Sequence, residues 1–144
     1  MRKMLLACVM MCASLFTVSF ASAAQVDMKD PFKMMTEVAD QAFNKLQQNK
    51  DKVSDAAFRK DLVRNDLLPY VDTRYAAYKV MGTYAKKASA ADRDAFSNAF
   101  AEYIVSSFAD ALALYKNQDL VAPEYKKVSA DATQVNVKFL IREA

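Results

Sequence analysis

Beyond its first 23 residues the sequence contains no His, Cys or Trp, and Gly82 is the single Gly of the whole chain. The absence of His removes the usual imidazole base and the commonest metal ligand. The absence of Cys removes thiolate chemistry, and one Gly is too few for a loop that cradles phosphate groups. We therefore predict a binding protein rather than an enzyme, with no catalytic residues, no metal site and no cofactor.

The acidic residues of the sequence indicate neither a catalytic site nor a calcium-binding site. Asp61 with Asp66, and Asp92 with Asp94, form carboxylate pairs, but each pair lies among Lys and Arg. Such a mixture is typical of a solvated helix face, and a catalytic site needs further groups that this sequence lacks. A calcium loop would need Asp or Asn at alternating positions together with a Gly, and no such pattern is present.

Residues 1–23 have the pattern of a secretory signal peptide. Two basic residues precede an apolar run from Met4 to Phe20. Ala21-Ser22-Ala23 is a small-x-small cleavage site, and Ser22-Ala23-Ala24 offers the same pattern one residue later. A membrane anchor is the alternative for a run of this length, but the flanking residues favour the signal peptide. Both Cys8 and Cys12 lie in this leader, so the mature protein has no disulfide although its compartment would permit one. These features predict a periplasmic protein.

The charge balance of the mature chain is close to neutral. Of 20 basic and 17 acidic residues, two basic ones belong to the leader, which leaves a net charge of +1. Binding to nucleic acid or to an acidic membrane through a polybasic patch usually requires a clear basic excess. The overall balance therefore argues against both.

Residues 24–144 are expected to form a single domain, because they contain no linker, repeat or low-complexity tract. The first half predicts two helices. One begins at Asp30-Pro31, with Pro at the first helical position, and runs to about Gln48. The next is capped by Ser54 and is interrupted at Pro69, which disfavours helical geometry at Leu68.

Two further helices are predicted before the character of the chain changes. The third carries Gly82 on its apolar stripe and ends near Lys86-Lys87, whose charges suit a helix C-terminus. The fourth opens with Ser89-Ala90-Ala91-Asp92, which resembles a capping box, and extends to about Lys116. At Asn117 the helical pattern stops, and the region around Leu120 is expected to be extended.

The last residues alternate between apolar and polar side chains. This period of two over Val135–Ile141 predicts a half-buried antiparallel strand. One or two strands are marginal in water, so the sheet is expected to be incomplete at Ala144. Its unpaired edge would make the chain as given prone to aggregation or strand-mediated pairing. The predicted fold class is α+β, with a helical layer packed on an antiparallel or mixed sheet.

Apolar and aromatic residues recur at helical spacing on the two central helices and predict that one face of each lines an apolar interior. An ordinary core is the simplest explanation for each residue taken singly. Small residues between them, such as Ala109 and Ala113, either allow close helix packing or leave space. With the apolar strand positions added, the candidate residues are Val71, Tyr75, Tyr78, Met81, Phe96, Phe100, Tyr103, Ile104, Phe108, Leu112, Val135, Val137 and Phe139.

An ordered set of short motifs runs through the middle of the chain. The set comprises Leu67-Leu68-Pro69-Tyr70-Val71-Asp72, Val80-Met81-Gly82-Thr83-Tyr84, Ala91-Asp92-Arg93 with Phe96 and Phe100, and Ala111-Leu112 with Tyr115. Together with the order of leader, four helices and strand, it resembles the periplasmic phospholipid-binding protein family of the bacterial Mla pathway, also called the toluene-tolerance family. The agreement in spacing covers residues 30–141.

This resemblance implies a soluble, non-enzymatic phospholipid carrier that maintains outer-membrane lipid asymmetry. Its implied partners are an outer-membrane lipoprotein–porin complex and an inner-membrane ABC transporter with an MCE-domain subunit. Phospholipid would be the cargo, with acyl chains in an apolar cavity between helices and sheet, where the candidate residues above would contact them. The family's remaining strands and C-terminal helices are expected beyond Ala144. The alternative is a periplasmic helical interaction or chaperone-like protein whose aromatic residues form only a core.

Overall fold

Four α-helices and a small sheet make up the computed structural model, which describes residues 26–143; the predicted leader, residues 1–23, lies outside them. The helices are α1 (Pro31–Gln48), α2 (Ala56–Leu62), α3 (Thr73–Met81) and α4 (Ala90–Leu112), and the strands are β1 (Asp119–Val121) and β2 (Leu140–Arg142). This architecture confirms the predicted α+β class.

Local capping explains where the first, second and fourth helices begin. The Asp30 carboxylate accepts hydrogen bonds from the backbone N–H groups of Phe32 (2.9 Å) and Lys33 (3.2 Å) at the start of α1. The predicted capping box of α4 is confirmed, since Ser89 and Asp92 bond to each other's backbone N–H groups. The predicted cap of α2 at Ser54 is wrong: the carboxylate of Asp55, which is an equally favoured capping residue, accepts from Ala57 N at 2.8 Å.

The connection from α2 to α3 stays helical past the predicted break at Leu68 and becomes extended only at Val71. A wide turn over Val63–Leu67 is followed by a 3-10 turn over Leu68–Tyr70. Leu68 has φ −59° and ψ −35°, so the expected displacement from helical geometry is not observed. Pro69 lies in the first turn of the new 3-10 segment, where its missing N–H is tolerated.

Two helices end earlier than predicted, and the first of them ends where a glycine leaves helical geometry. Gly82 has φ +56° and ψ −126°, a conformation that favours Gly, and it ends α3 at Met81. The segment from Gly82 to Lys86 continues as a 3-10 turn. Helix α4 ends at Leu112, and the chain then turns through Asn117, whose φ is +65°.

The sheet is shorter than the alternating sequence pattern predicted. β1 and β2 pair antiparallel, with Leu120 opposite Ile141 and Val121 opposite Leu140. Residues 135–139 keep the predicted alternation of half-buried and exposed side chains, but they are not paired with a neighbouring strand. Pairing cannot extend far in this direction, because Pro123 has no N–H to donate. The prediction of a strand over Val135–Ile141 is therefore correct only for its last two residues.

The core lies where α1, α2 and α4 meet. One cluster surrounds Leu46, and a second surrounds Val63 and Val105; these three side chains are fully buried. The buried members of the two clusters are Ala42, Leu46, Val53 and Leu62, and Val63, Val105 and Ala109. Helix α4 is the central element against which α2 and α3 pack, while α1 packs mainly on the turn that follows α2.

A buried arginine joins the far end of α4 to the α1–α2 connection. The Arg59 side chain is buried. Its Nε donates to the backbone oxygen of Ala109 at 2.8 Å, and its Nη1 donates to that of Val53 at 2.6 Å. The guanidinium thus fixes the last turns of α4 by hydrogen bonds to carbonyl groups of two segments.

Candidate functional site

Helices α3 and α4 pack together and carry most of the candidate residues. Arg74 of α3 forms an ion pair with Asp94 of α4 at 3.2 Å. Between the helices, Arg93 Nη1 donates to the backbone oxygens of Ala85 (3.2 Å) and Ala88 (2.7 Å). These contacts hold the α3–α4 connection against the first turns of α4.

The aromatic side chains of α4 form a stacked row on the surface. The Phe96 and Phe100 rings are 6.1 Å apart with an interplanar angle of 11°, and those of Phe100 and Tyr103 are 6.2 Å apart at 27°. These separations suit offset stacking. Phe96 is 37% exposed and Tyr103 66% exposed, whereas Phe100 between them is half-buried, so both ends of the row face outward from the described residues. We call Phe96, Phe100 and Tyr103 the aromatic row.

The buried side of α4 is formed by smaller residues than those predicted to line the interior. Ser97, Val105 and Ala109 are its buried residues. The Ser97 hydroxyl donates to the backbone oxygen of Arg93 at 2.8 Å, which satisfies it locally. Small residues therefore allow close packing at Ser97 and Ala109. Of the two possibilities that the sequence left open for Ala109, the structure shows close packing and not an open space.

Among the candidate residues of α3, Tyr75 is exposed, whereas Tyr78 and Met81 are half-buried. The Lys79 Nζ atom lies 5.4 Å from the Tyr75 ring centroid, and the Arg74 guanidinium carbon lies 5.6 Å from that of Tyr78. The Tyr78 hydroxyl accepts hydrogen bonds from Arg74, which raise the pKa of that guanidinium with help from Asp94. Arg74 is thereby paired both with Tyr78 on its own helix and with Asp94 on α4.

An apolar hollow of about 310 Å³ lies where the helices meet the sheet. Among the candidate residues, Leu112 lines it. Its other lining residues come from α1, the end of α4, the following turn and β2, and they are Phe43, Leu46, Ala111, Leu114, Tyr115, Gln118 and Ile141. The Phe43 and Tyr115 rings meet edge to face, with centroids 5.9 Å apart. This volume is at the lower end of the range for small-molecule sites.

The remaining candidates occupy different surroundings. Val135 borders a larger, mixed polar and apolar hollow of about 690 Å³ beside Pro31 and Tyr125. Val71, Met81, Ile104, Val137 and Phe139 are half-buried. The candidate residues therefore lie in three separate regions: on α3 and α4, at the apolar hollow, and in the loop beside α1. Their contact with lipid remains a prediction.

Sequence reasoning missed most of the hollow, although its residues were visible. Phe43 and Leu46 recur at helical spacing in α1, and Ile141 belongs to the alternating pattern of the last strand. Periodicity assigns each residue to a face of its own element. It contains no signal that brings the end of α1, the end of α4 and β2 to one place.

Tyr115 carries a polar atom with no partner in this apolar environment. Its hydroxyl is buried and forms no hydrogen bond within residues 26–143, while its ring packs beside the Leu46 cluster. An unsatisfied buried hydroxyl costs roughly 1–3 kcal/mol. The aromatic ring of Tyr115 therefore stabilises the core by packing, whereas its unsatisfied hydroxyl lowers the stability.

Replacing Tyr115 with Phe should raise the free energy of unfolding by roughly 1–3 kcal/mol, because the ring is kept and the unsatisfied group is removed. Urea unfolding followed by circular dichroism measures this change. Tyr103→Phe is the matched control, since that hydroxyl is on an exposed side chain, and it should leave stability nearly unchanged. A lower stability for Tyr115→Phe would show that its hydroxyl is satisfied in solution.

Within residues 26–143, no helix is both long and apolar enough to cross a bilayer. The same part of the chain holds no group of three His, Cys, Asp or Glu residues that could bind a metal ion together. What it does present is an exposed aromatic row and an apolar hollow between helices and sheet. Concave apolar sites with few polar groups are typical of proteins that bind apolar ligands.

Comparison with known sequences places this chain in a defined family. The chain belongs to the family described as MlaC protein, whose model matches residues 36–144. It is 38% identical over 115 residues to the intermembrane phospholipid transport system binding protein MlaC of Haemophilus influenzae. That alignment covers 79% of this chain and 53% of the relative, so the chain spans about half the length of that curated relative. The resemblance found in the sequence is confirmed.

Proposed function

We propose that this protein is a periplasmic carrier that shuttles phospholipid between the two membranes and so maintains outer-membrane lipid asymmetry. Its proposed partners are an outer-membrane lipoprotein–porin complex and an inner-membrane ABC transporter with an MCE-domain subunit. Phospholipid is the cargo, and the proposed role requires no cofactor and no catalysed reaction. The observation that carries the proposal is the family match, which runs from α1 through β2, together with the name of the Haemophilus influenzae relative.

The size of the hydrophobic effect explains why such a cargo needs a protein. Burying a methylene group stabilises by about 0.8 kcal/mol. Two acyl chains of roughly 15 methylenes each would therefore cost on the order of 20 kcal/mol to expose to water. Unassisted diffusion between membranes is negligible at that cost. A carrier must cover most of both chains and release them through direct contact with its partners.

The apolar surfaces of this chain support such a role in different ways. The hollow of about 310 Å³ beside Phe43 and Leu112 is large enough for part of an acyl chain. The aromatic row on α4 offers a further apolar surface that the core does not use. Covering two chains requires more surface than the hollow provides, so we assign the aromatic row to the same cargo.

The proposal is tested by lipid content. The complete protein, purified from periplasm without detergent, should contain phospholipid when it is extracted and analysed by mass spectrometry. Phe100→Asp should remove most of this lipid, because it places a charge in the middle of the aromatic row. Phe108→Asp provides a second test position, at a candidate residue outside the row.

Asn98→Asp is the control, because it adds the same charge at an exposed position of the same helix. It should keep both fold and lipid. Circular dichroism on each variant separates lipid loss from unfolding. A wild-type protein without phospholipid would contradict the proposal and would favour an interaction or chaperone-like role.

A further inference from the structure

The connection between α3 and α4 carries a local excess of positive charge. No acidic residue occurs between Asp72 and Asp92, whereas this interval contains Arg74 and three lysines. Arg74 is compensated by Asp94 across the helix pair. The three lysines, at positions 79, 86 and 87, are exposed and form no ion pair within the described part of the chain. We call residues 79–88 the α3–α4 tip.

Exposed apolar and amphipathic side chains lie among these lysines. Tyr84 is 72% exposed and Val80 is 63% exposed. Tyr is enriched where protein meets the water–lipid boundary, because its ring is apolar and its hydroxyl is polar. Basic residues beside such side chains attract anionic lipid head groups. The near-neutral charge of the whole chain conceals this local arrangement.

The tip is held in place before any partner arrives. Arg93 bonds to two of its backbone oxygens, those of Ala85 and Ala88, and the Ser89–Asp92 capping box fixes the turn that follows. The left-handed φ of Gly82 sets the direction in which the chain leaves α3. A preformed surface loses less conformational entropy on binding than a flexible one.

We propose that the α3–α4 tip docks the protein on the surface of a bilayer that contains anionic phospholipid. This inference rests on the proposed function, since a lipid carrier must approach membranes. Charge complementarity selects the anionic surface, and exposed Val80 and Tyr84 suit the interface below the head groups. Three lysines give weak, reversible attachment, on the order of 100-fold enrichment over a neutral surface. Such strength allows release after each encounter.

Vesicle co-sedimentation of the complete protein tests this inference. Binding should be measured with vesicles of phosphatidylcholine alone and with vesicles that also contain phosphatidylglycerol. The protein should bind the mixed vesicles, and binding should fall as salt rises from about 0.05 M to about 0.5 M, because exposed charges are screened. The double variant Lys86→Gln/Lys87→Gln should bind roughly 25-fold more weakly, at about fivefold for each lysine.

The control pair is Lys50→Gln/Lys52→Gln. These lysines are exposed and adjoin Val53, which Arg59 links to Ala109 near the opposite end of α4. A helix rises 1.5 Å per residue, so the two sites are separated by roughly 30 Å along α4. This pair removes the same charge and should leave vesicle binding within about twofold of the wild type, since the lost charge is beyond a screening length.

The outcomes separate this inference from the proposed function. Equal losses in both double variants, equal binding to both vesicle types, or no binding at all would overturn docking by the tip. So would a finding that the Lys86/Lys87 variant changes self-association, or binding to an acidic protein, without changing vesicle binding. Co-purified phospholipid is measured on the same preparations. Lipid present without vesicle binding overturns only the docking inference, and absent lipid overturns the carrier proposal.

Discussion

Val105→Asp should leave the protein unfolded under conditions in which the wild type is folded. Val105 is 0% exposed and packs with Val63 and Ala109 at the centre of the second core cluster. A carboxylate at this position would be removed from water without a hydrogen-bonding or oppositely charged partner. The packing of the valine side chain would be lost as well. Effects of this kind exceed about 4–5 kcal/mol, which is comparable with the total stability of many domains.

Tyr103→Asp is the matched comparison for this prediction. It places the same side chain two residues away on α4, about 200° around the helix axis, at an exposed position in the aromatic row. The variant should remain folded, with a midpoint of urea unfolding close to that of the wild type. Far-ultraviolet circular dichroism and urea titration measure both proteins. Similar behaviour of the two variants would show that the buried face of α4 has been assigned incorrectly.

Arg59→Met should lower the free energy of unfolding by roughly 3 kcal/mol. Methionine retains an apolar stem of similar length but cannot donate to the backbone oxygens of Val53 and Ala109, which Arg59 reaches at 2.6 and 2.8 Å. Hydrogen bonds that involve a charged group contribute about 1.5–3 kcal/mol each. Methionine packing offsets part of that loss, since replacing a buried charge with an apolar side chain removes its desolvation cost.

Arg64→Met is the appropriate control for the arginine prediction. Arg64 pairs with Glu102 at 2.6 Å, but both side chains are exposed. An exposed ion pair contributes less than about 1 kcal/mol. Urea unfolding at neutral pH should therefore distinguish the two variants clearly. A loss for Arg64→Met as large as that for Arg59→Met would contradict the structural role given to the buried guanidinium.

The sequence predicted where the helices begin better than it predicted which face of each helix is buried. The Ser89–Asp92 capping box and the Asp30-Pro31 start are local signals, and both are confirmed. The buried face of α4 was harder, because apolar residues surround much of that helix and periodicity favours no single direction strongly. Large aromatic residues indicated the interior, whereas close packing required the smaller Ser97, Val105 and Ala109.

Long-range pairing limited the prediction of the sheet and the hollow. The alternation over residues 135–139 is present in the burial pattern, but hydrogen bonding depends on the length of β1 and on Pro123 in another part of the sequence. The hollow joins Phe43, Leu112 and Ile141, which are far apart along the chain. Motif resemblance identified the family because it reads an ordered set of local signals, for which no tertiary contact is needed.

Both ends of α4 are fastened by arginines whose acceptors do not titrate. Arg93 reaches the oxygens of Ala85 and Ala88 near the N-terminus, and Arg59 reaches those of Val53 and Ala109 near the C-terminus. Backbone carbonyls take up no proton in the range where carboxylates do. Both sets of hydrogen bonds therefore keep their acceptors when the solution is acidified, and both ends of α4 stay attached. The central helix is thus held by contacts that persist when the surface loses its negative charges.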